Sequence, residues 1–76
     1  MTVTLYMHGN LRRFMPDGRD RTTMELAAGT TIRALLDSFG AERDTWLVAV
    51  NGTTVDKERV LAPGDHLDCF EPVAAG

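Results

Sequence analysis

GTTIRALLDSFG (29–40) decides the fold, because it is the one segment of the chain with a clear helical period. Its apolar residues recur at i, i+3, i+4 and i+7, at Ile32, Leu35, Leu36 and Phe39. Thr30 or Thr31 can accept a hydrogen bond from the free N–H groups of the first turn, and Gly40 suits the left-handed conformation that ends many helices. A single helix with one apolar stripe buries that stripe against a sheet, so the segment predicts a helix lying across a sheet.

The sequence before the helix predicts two strands. TVTLYMH (2–8) and RTTMELA (21–27) both alternate with the period of two that is typical of strands. The stretch between them, residues 9–21, contains a Pro-Asp-Gly turn and an apolar spacing that predicts one helical turn packed on the core. Those apolar residues are Leu11, Phe14 and Met15. The two strands are expected to be antiparallel, with this loop as a long hairpin connection.

The sequence after the helix predicts three more strands. TWLVAVNG (45–52) is rich in strand formers and closes with Asn51-Gly52, a frequent two-residue hairpin turn. A short strand around Val55 follows, and HLDCF (66–70) is the last strand.

Alternation within TWLVAVNG leaves two sets of side chains that could face the core. One set contains Trp46, Val48 and Val50, and the other contains Leu47 and Ala49. We predict that the set with Trp46 is the buried one.

The last third of the chain also yields inward and outward positions. We expect Val60 and Leu61 to face inward. In the final strand, Leu67 and Cys69 are expected in the core, which places Phe70 on the solvent side at the edge of the sheet. There Phe70 either anchors a partner or folds back over the sheet.

The order of elements predicts the fold class. One helix with four or five strands is an α+β pattern, and it matches the β-grasp, or ubiquitin-like, architecture: a mixed four- to five-stranded sheet with one main helix across one face. Residues 1–71 form the predicted domain. Pro72 lacks a backbone N–H and cannot continue an interior strand, so residues 72–76 are expected to be a flexible C-terminal tail.

Charge and composition exclude several classes of function. The chain has 76 residues with 8 Lys and Arg against 11 Asp and Glu, and its net charge of −3 argues against a nucleic-acid-binding protein. Arginines between residues 12 and 21 are interrupted by aspartates, as on a solvated loop face. No segment is long and apolar enough to span a membrane, and one cysteine makes no intrachain disulfide, so we expect a cytoplasmic protein that binds neither nucleic acid nor membrane.

The residues with reactive side chains do not assemble an active site. His8 and His66 could be imagined as a metal-binding pair, but no His, Cys and carboxylate cluster has the spacing of a metal site. Asp65 and Glu71 are in no evident cleft, and Cys69 is expected to act as a small apolar residue. The sequence therefore predicts no assembled active site and no metal site.

The C-terminal PVAAG (72–76) is the remaining feature. Its side chains are small, and Gly76 carries an unhindered carboxylate. A narrow chain that ends in a bare carboxylate is suited to entering another protein's active site. Frayed termini are also common, so composition alone leaves both interpretations open.

Several segments together resemble the MoaD/ThiS family of ubiquitin-like sulfur carriers, and the resemblance is closer on the MoaD side. The matching pieces are GNLRRF, ELAAGTTIRALLDSFG, VAVNG, LAPGDHLDCF and PVAAG. In order, they cover essentially the whole chain.

The resemblance implies a carrier and co-substrate, not an enzyme, with no bound cofactor of its own. Such a carrier can also be the small subunit of a sulfur-transferring synthase. In that family, an activating enzyme similar to ubiquitin-activating enzymes uses ATP to adenylate the C-terminal glycine, and a sulfur donor converts it to a thiocarboxylate. The thiocarboxylate delivers sulfur to a downstream synthase, for molybdopterin, its tungsten relatives, or thiamin. Carried over here, Gly76 is the thiocarboxylate acceptor, Pro72, Val73, Ala74 and Ala75 form the segment that threads into partners, and Phe70 resembles the aromatic residue that docks on them.

Two departures from the family pattern lead to an alternative function for this chain. The family tail usually ends in Gly-Gly and is preceded by Pro-Pro, whereas this chain has Ala75-Gly76 and Glu71-Pro72. If the penultimate residue needs a positive φ in the partner's channel, the methyl group of Ala75 costs about 1–2 kcal/mol. The alternative function is a ubiquitin-like interaction or scaffold module whose tail is not activated.

Overall fold

A computed structural model describes residues 1–72, which form one sheet, one α-helix and two short 3-10 segments. The strands are β1 (Thr2–Met7), β2 (Arg21–Glu25), β3 (Leu47–Val50), β4 (Thr53–Val55) and β5 (His66–Phe70). The helix α1 spans Ile32–Phe39. The 3-10 segments are Gly9–Phe14 and Pro16–Gly18. All the predicted elements are present, and the predicted helical turn after β1 is a 3-10 segment.

The sheet is mixed, with the order β2-β1-β5-β3-β4. β1 and β5 are parallel, and the other neighbouring strands are antiparallel. These findings confirm the α+β, β-grasp prediction with five strands. They also correct the prediction that Phe70 stands at the sheet edge, because β5 is the central strand. The period of a strand identifies the faces of its residues, but strand order depends on pairing between distant segments.

Helix α1 is closed at both ends by the residues that its sequence predicted. The Thr31 hydroxyl accepts a hydrogen bond from the Ala34 N–H at 3.1 Å, which settles the choice between Thr30 and Thr31. Gly40 has φ +73°, and its N–H donates to the Asp37 carbonyl at 3.0 Å. The helical stripe faces the sheet, with Phe39 half-buried and Ile32, Leu35 and Leu36 fully buried.

The core between helix and sheet contains the inward residues of all three central strands. Its buried apolar residues are Val3, Leu5, Met7, Leu11, Met15, Ile32, Leu35, Leu36, Ala41, Val48, Val50, Leu61, Leu67 and Cys69. The prediction for Leu67 and Cys69 is confirmed. The inward positions of β3 are also those predicted, with the exception of Trp46.

Trp46 is 71% exposed, so its predicted place in the core is wrong. β3 begins at Leu47, and the alternation that buries Val48 and Val50 does not extend back to Trp46. Thr45 is buried instead, and its hydroxyl donates to the Ala41 carbonyl at 2.9 Å. This turn after the helix fixes Thr45 inside and turns the indole outward.

Val60 is also a correction, because it is 51% exposed whereas Leu61 is buried. The Leu61 N–H donates to the Thr30 carbonyl at 2.9 Å, and Val60 forms an isolated bridge with Thr31. The segment thus runs past the start of α1 as a single extended stretch, in which neighbouring side chains point to opposite sides.

The β3–β4 hairpin turns at Asn51 and Gly52, with φ of +51° and +87°. Two consecutive positive φ angles are those of a type I′ turn, as Asn-Gly predicted. Within residues 1–72, no helix has the length and apolar character needed to cross a bilayer.

Candidate functional site

The face of the sheet opposite α1 has no element covering it within residues 1–72, and we call it the free face. Alternation places Tyr6 of β1 and His8, the residue directly after β1, on this face, together with Asp68 and Phe70 of β5. Leu47 of β3 is the register partner of Phe70 and lies beside it. The central strand therefore presents its outward residues between those of two neighbours.

Three rings stack across β1 and β5 on the free face. The His8 ring lies 4.1 Å from the Tyr6 ring and 4.3 Å from the Phe70 ring, with interplanar angles of 21° and 14°. His8 is thus held between two aromatic rings. Phe70 is half-buried as a result: it faces solvent, as predicted, and it also packs along the sheet.

Asp68 links the two histidines. Its Oδ1 lies 2.9 Å from Nε2 of His8 and 3.3 Å from Nε2 of His66. The carboxylate therefore orients both imidazoles, and His8 is fixed by stacking as well. Across the described part of the chain, no group of three or more His, Cys, Asp and Glu residues is arranged to hold a metal ion.

Trp46, Leu47 and Phe70 form what we call the docking patch. Trp46 is 71% exposed and Leu47 is 47% exposed. The backbone N–H of Trp46 donates to the Phe70 carbonyl at 2.9 Å, which fixes the backbone of Trp46 beside the end of β5. Sequence reasoning missed Trp46 because it extended the correct alternation of Val48 and Val50 one step too far, past the start of β3 at Leu47.

Glu71 is fastened to the loop after β1, directly beyond the docking patch. Its Oε1 accepts a hydrogen bond from the Asn10 N–H at 3.0 Å, and its Oε2 lies 3.4 Å from Nη1 of Arg13. Gly9 has φ +60°, and a Cβ there would lie 3.3 Å from Oε1 of Glu71. The GNLRRF segment therefore holds the residue that precedes Pro72, through contacts that the sequence alone did not predict.

Cys69 and Asp65 have structural roles. Burial, with a smaller contribution from the charge of Asp68, raises the pKa of the Cys69 thiol to about 12, so it stays protonated at neutral pH. Asp65 is buried and accepts hydrogen bonds from Nδ2 of Asn51 at 3.0 Å and the Ala62 N–H at 2.8 Å. Neither group is available as a nucleophile or a general base.

The predicted tail residues divide at the end of the described chain. Pro72 is exposed and follows Glu71 at the end of β5. The remaining predicted residues, Val73, Ala74, Ala75 and Gly76, lie outside the described residues.

Several solved structures share this fold. SAMP1 from Haloferax volcanii superposes with a TM-score of 0.76 at 21% identity, covering 100% of both chains. A candidate molybdopterin converting factor subunit 1 from Pyrococcus furiosus gives 0.73 at 23% identity, covering 96% of this chain and 99% of the other. In a complex of subunits 1 and 2 of molybdopterin-converting factor from Helicobacter pylori, the matching chain gives 0.63 at 20% identity, with 100% of both chains covered.

Comparison by sequence is more specific than comparison by fold. No curated protein matches the sequence significantly. The sequence model of the ThiS family, however, matches residues 9–76, from the loop after β1 to the C-terminal glycine. Because this match covers most of the chain, the chain belongs to the ThiS family, one of the two named in the MoaD/ThiS resemblance.

Proposed function

We propose that this protein is a sulfur carrier whose Gly76 carboxylate is adenylated by an activating enzyme and converted to a thiocarboxylate. The observation that carries the proposal is the position of the docking patch. An exposed tryptophan and leucine lie beside Phe70, two residues before Pro72. A partner that covers the patch has the start of the tail within its interface.

The chemistry divides between the carrier and its partner. A carboxylate does not react with sulfur nucleophiles at pH 7, so an activating enzyme has to attach AMP from ATP to it, with release of pyrophosphate. A sulfur donor that supplies sulfide-level sulfur then attacks the carbonyl carbon: the C–S bond forms, the C–O bond to AMP breaks, and AMP leaves. The carrier needs only a reachable carboxylate and a surface for recognition.

The docking patch has the composition of a binding hot spot. Tryptophan is among the residues whose truncation costs most at protein interfaces. The stack of His8 on Phe70 holds the phenyl ring in place before binding, which lowers the entropy lost on association. Residues 72–76 reach at most about 17 Å beyond the patch at ~3.3 Å per residue.

The downstream partner is proposed to be a sulfur-accepting synthase of the molybdopterin, tungstopterin or thiamin type. The Helicobacter pylori structure is described as a complex of the two subunits of molybdopterin-converting factor. By analogy, the docking patch would serve the activating enzyme and the synthase in turn, so that one surface presents the same tail to both.

Intact-protein mass spectrometry tests the proposal. The protein is incubated with a cognate activating enzyme, ATP and a sulfur donor, and the expected product has one C-terminal oxygen replaced by sulfur. Deleting Gly76 should abolish the mass shift. Substituting Ala75→Gly should leave the yield similar or raise it, because glycine removes the cost of a positive φ.

A second carrier ending in Gly-Gly controls for activity of the enzyme. If that carrier is loaded and this protein is not, the proposal is wrong, and the unactivated interaction module becomes the better explanation. Loss of loading in the Ala75→Gly variant would also count against it.

A further inference from the structure

Strand β2 has an open edge. Among residues 1–72 it pairs only with β1, in the register Val3 opposite Met24. The Met7 N–H donates to the Asp20 carbonyl at 2.7 Å, and the Leu26 N–H to the Met1 carbonyl at 2.7 Å. Antiparallel pairs alternate, so Thr22 and Met24 also turn their backbone groups toward β1.

The intervening residues of β2 turn their backbone groups the other way. Arg21, Thr23 and Glu25 therefore direct N–H and C=O groups to the open edge. Their side chains are exposed on the free face. The Thr22 hydroxyl donates to the Thr23 carbonyl at 3.3 Å, which leaves the second lone pair of that oxygen free.

Charge is arranged symmetrically along this edge. Edge strands commonly carry charges that prevent pairing with a second copy. In the sequence Arg-Thr-Thr-Met-Glu, however, opposite charges stand two residues on either side of Thr23. A two-fold axis through Thr23 brings Arg21 of one copy opposite Glu25 of the second copy, and the reverse.

We propose that the protein forms a homodimer in which β2 pairs antiparallel with β2 of a second copy about a two-fold axis at Thr23. In this register, Thr23 forms backbone hydrogen bonds with Thr23 of the second copy, and Arg21 with Glu25 of the second copy. Every outward backbone group of β2 is thereby paired. Registers centred on Thr22 or Met24 lose the pairing of opposite charges.

Both charged side chains contact residues at or next to β1 within the single chain, and these contacts compete with pairing across the two-fold axis. The Arg21 guanidinium lies 5.3 Å from the centre of the Tyr6 ring. Glu25 accepts a hydrogen bond from the Thr2 hydroxyl and lies 3.6 Å from the N-terminal ammonium group. Because the pairs are exposed, they specify the register more than they add affinity, and we expect a weak dimer that depends on concentration.

The dimer is compatible with partner binding at the docking patch. β1 lies between β2 and β5, so the second copy joins the sheet on the side away from Trp46 and Leu47. The interface contains no residue of the docking patch. The inference thus stands independently of the proposed sulfur chemistry.

Charge reversal tests the register. Sedimentation of the full chain at protein concentrations up to about 1 mM should show a monomer–dimer equilibrium. At that concentration, dimers with dissociation constants up to about 1 mM are detectable. Arg21→Glu and Glu25→Arg should each raise the dissociation constant by at least about tenfold, because each places like charges opposite one another. An equimolar mixture of the two variants should form the heterodimer, and the double variant should dimerise again.

A cysteine at the axis gives a second test. Opposed residues of a hydrogen-bonded pair have Cα atoms about 5.5 Å apart, which a disulfide can span. Thr23→Cys should therefore form a covalent dimer under mild oxidation, whereas Thr54→Cys on the other edge strand should not. Circular dichroism of each variant checks that it folds.

Three outcomes would overturn the proposal: a wild-type protein that stays monomeric throughout, a dimer indifferent to Arg21→Glu, or equal crosslinking through both cysteines. Equal crosslinking would indicate random collision. A dimer indifferent to charge would indicate another surface.

Discussion

Trp46 is the most exposed of the large apolar residues in the described part of the chain. Tryptophan is highly buried on average, yet Trp46 is mostly in water, and its backbone is hydrogen-bonded to the end of β5 at Phe70. Contiguous exposed apolar groups mark interaction surfaces in soluble proteins. If Trp46 serves binding and not folding, its substitution should lower the affinity for a partner and leave the free energy of unfolding almost unchanged.

Substituting Trp46→Ala should weaken binding to the activating enzyme without unfolding the carrier. We expect affinity to fall by about 2 kcal/mol, or roughly 30-fold, as at other interfacial tryptophans. The free energy of unfolding should change by no more than about 0.5 kcal/mol, because the ring is already exposed. Titration calorimetry and urea unfolding measure the two quantities.

Val60→Ala is the matched control, since Val60 is also an exposed apolar residue but lies outside the docking patch. It should leave the affinity unchanged. Equal losses from the two variants would mean that Trp46 has no special role in binding.

Gly9 is a second position where one residue decides local structure. Gly9→Ala should destabilise the protein more than Gly18→Ala, although the two glycines have similar φ angles of +60° and +66°. The left-handed conformation costs about 1–2 kcal/mol for alanine at either position. At Gly9 the new methyl group also crowds Oε1 of Glu71, whereas nothing lies within 4 Å at Gly18.

Urea unfolding of the two variants gives the comparison directly. The difference between them reports the contact between Gly9 and Glu71 alone. Equal destabilisation would show that the loop does not hold Glu71 in solution.

The elements differ in how far sequence predicts them. β1, α1 and β5 follow from local periods and caps, since their apolar faces are continuous along the chain. β3 is different at its start, because the turn at Thr45 breaks the alternation before Leu47 and leaves Trp46 outside the core. The stack of His8 on Phe70 depends on parallel pairing of β1 and β5, which brings together residues 62 positions apart. No local pattern encodes that contact. The sequence could therefore predict individual site residues such as Phe70, but not that His8 packs against it.

Helix α1 offers a test at the element scale. Thr31→Ala should lower the free energy of unfolding by about 1 kcal/mol, because the Ala34 N–H loses its cap. Thr30→Ala is the control: the Thr30 hydroxyl donates to the Ala27 carbonyl at 2.7 Å and caps no helical N–H. Urea midpoints for the two variants should differ, and a larger loss at Thr30 would contradict the assignment of Thr31 as the cap.

For the whole molecule, the core closes over Cys69 on the central strand, and that thiol should report global opening. Its pKa is raised to about 12 in the folded protein, from an ordinary value of 9.0. Between these values the unfolded chain releases a proton that the folded chain keeps. Stability is thus fully present below about pH 9 and falls as pH rises toward 12.

Denaturant unfolding from pH 8 to 11 should show this decline, and the difference between wild type and Cys69→Ala isolates it from the titration of tyrosine and lysine. Alkylation gives an independent measurement at neutral pH. The native thiol should react with iodoacetamide only when the molecule opens. The labelling rate should therefore fall as the free energy of unfolding rises. Labelling at the rate of the unfolded chain, or identical pH profiles for the two proteins, would show that β5 is not held in a closed core.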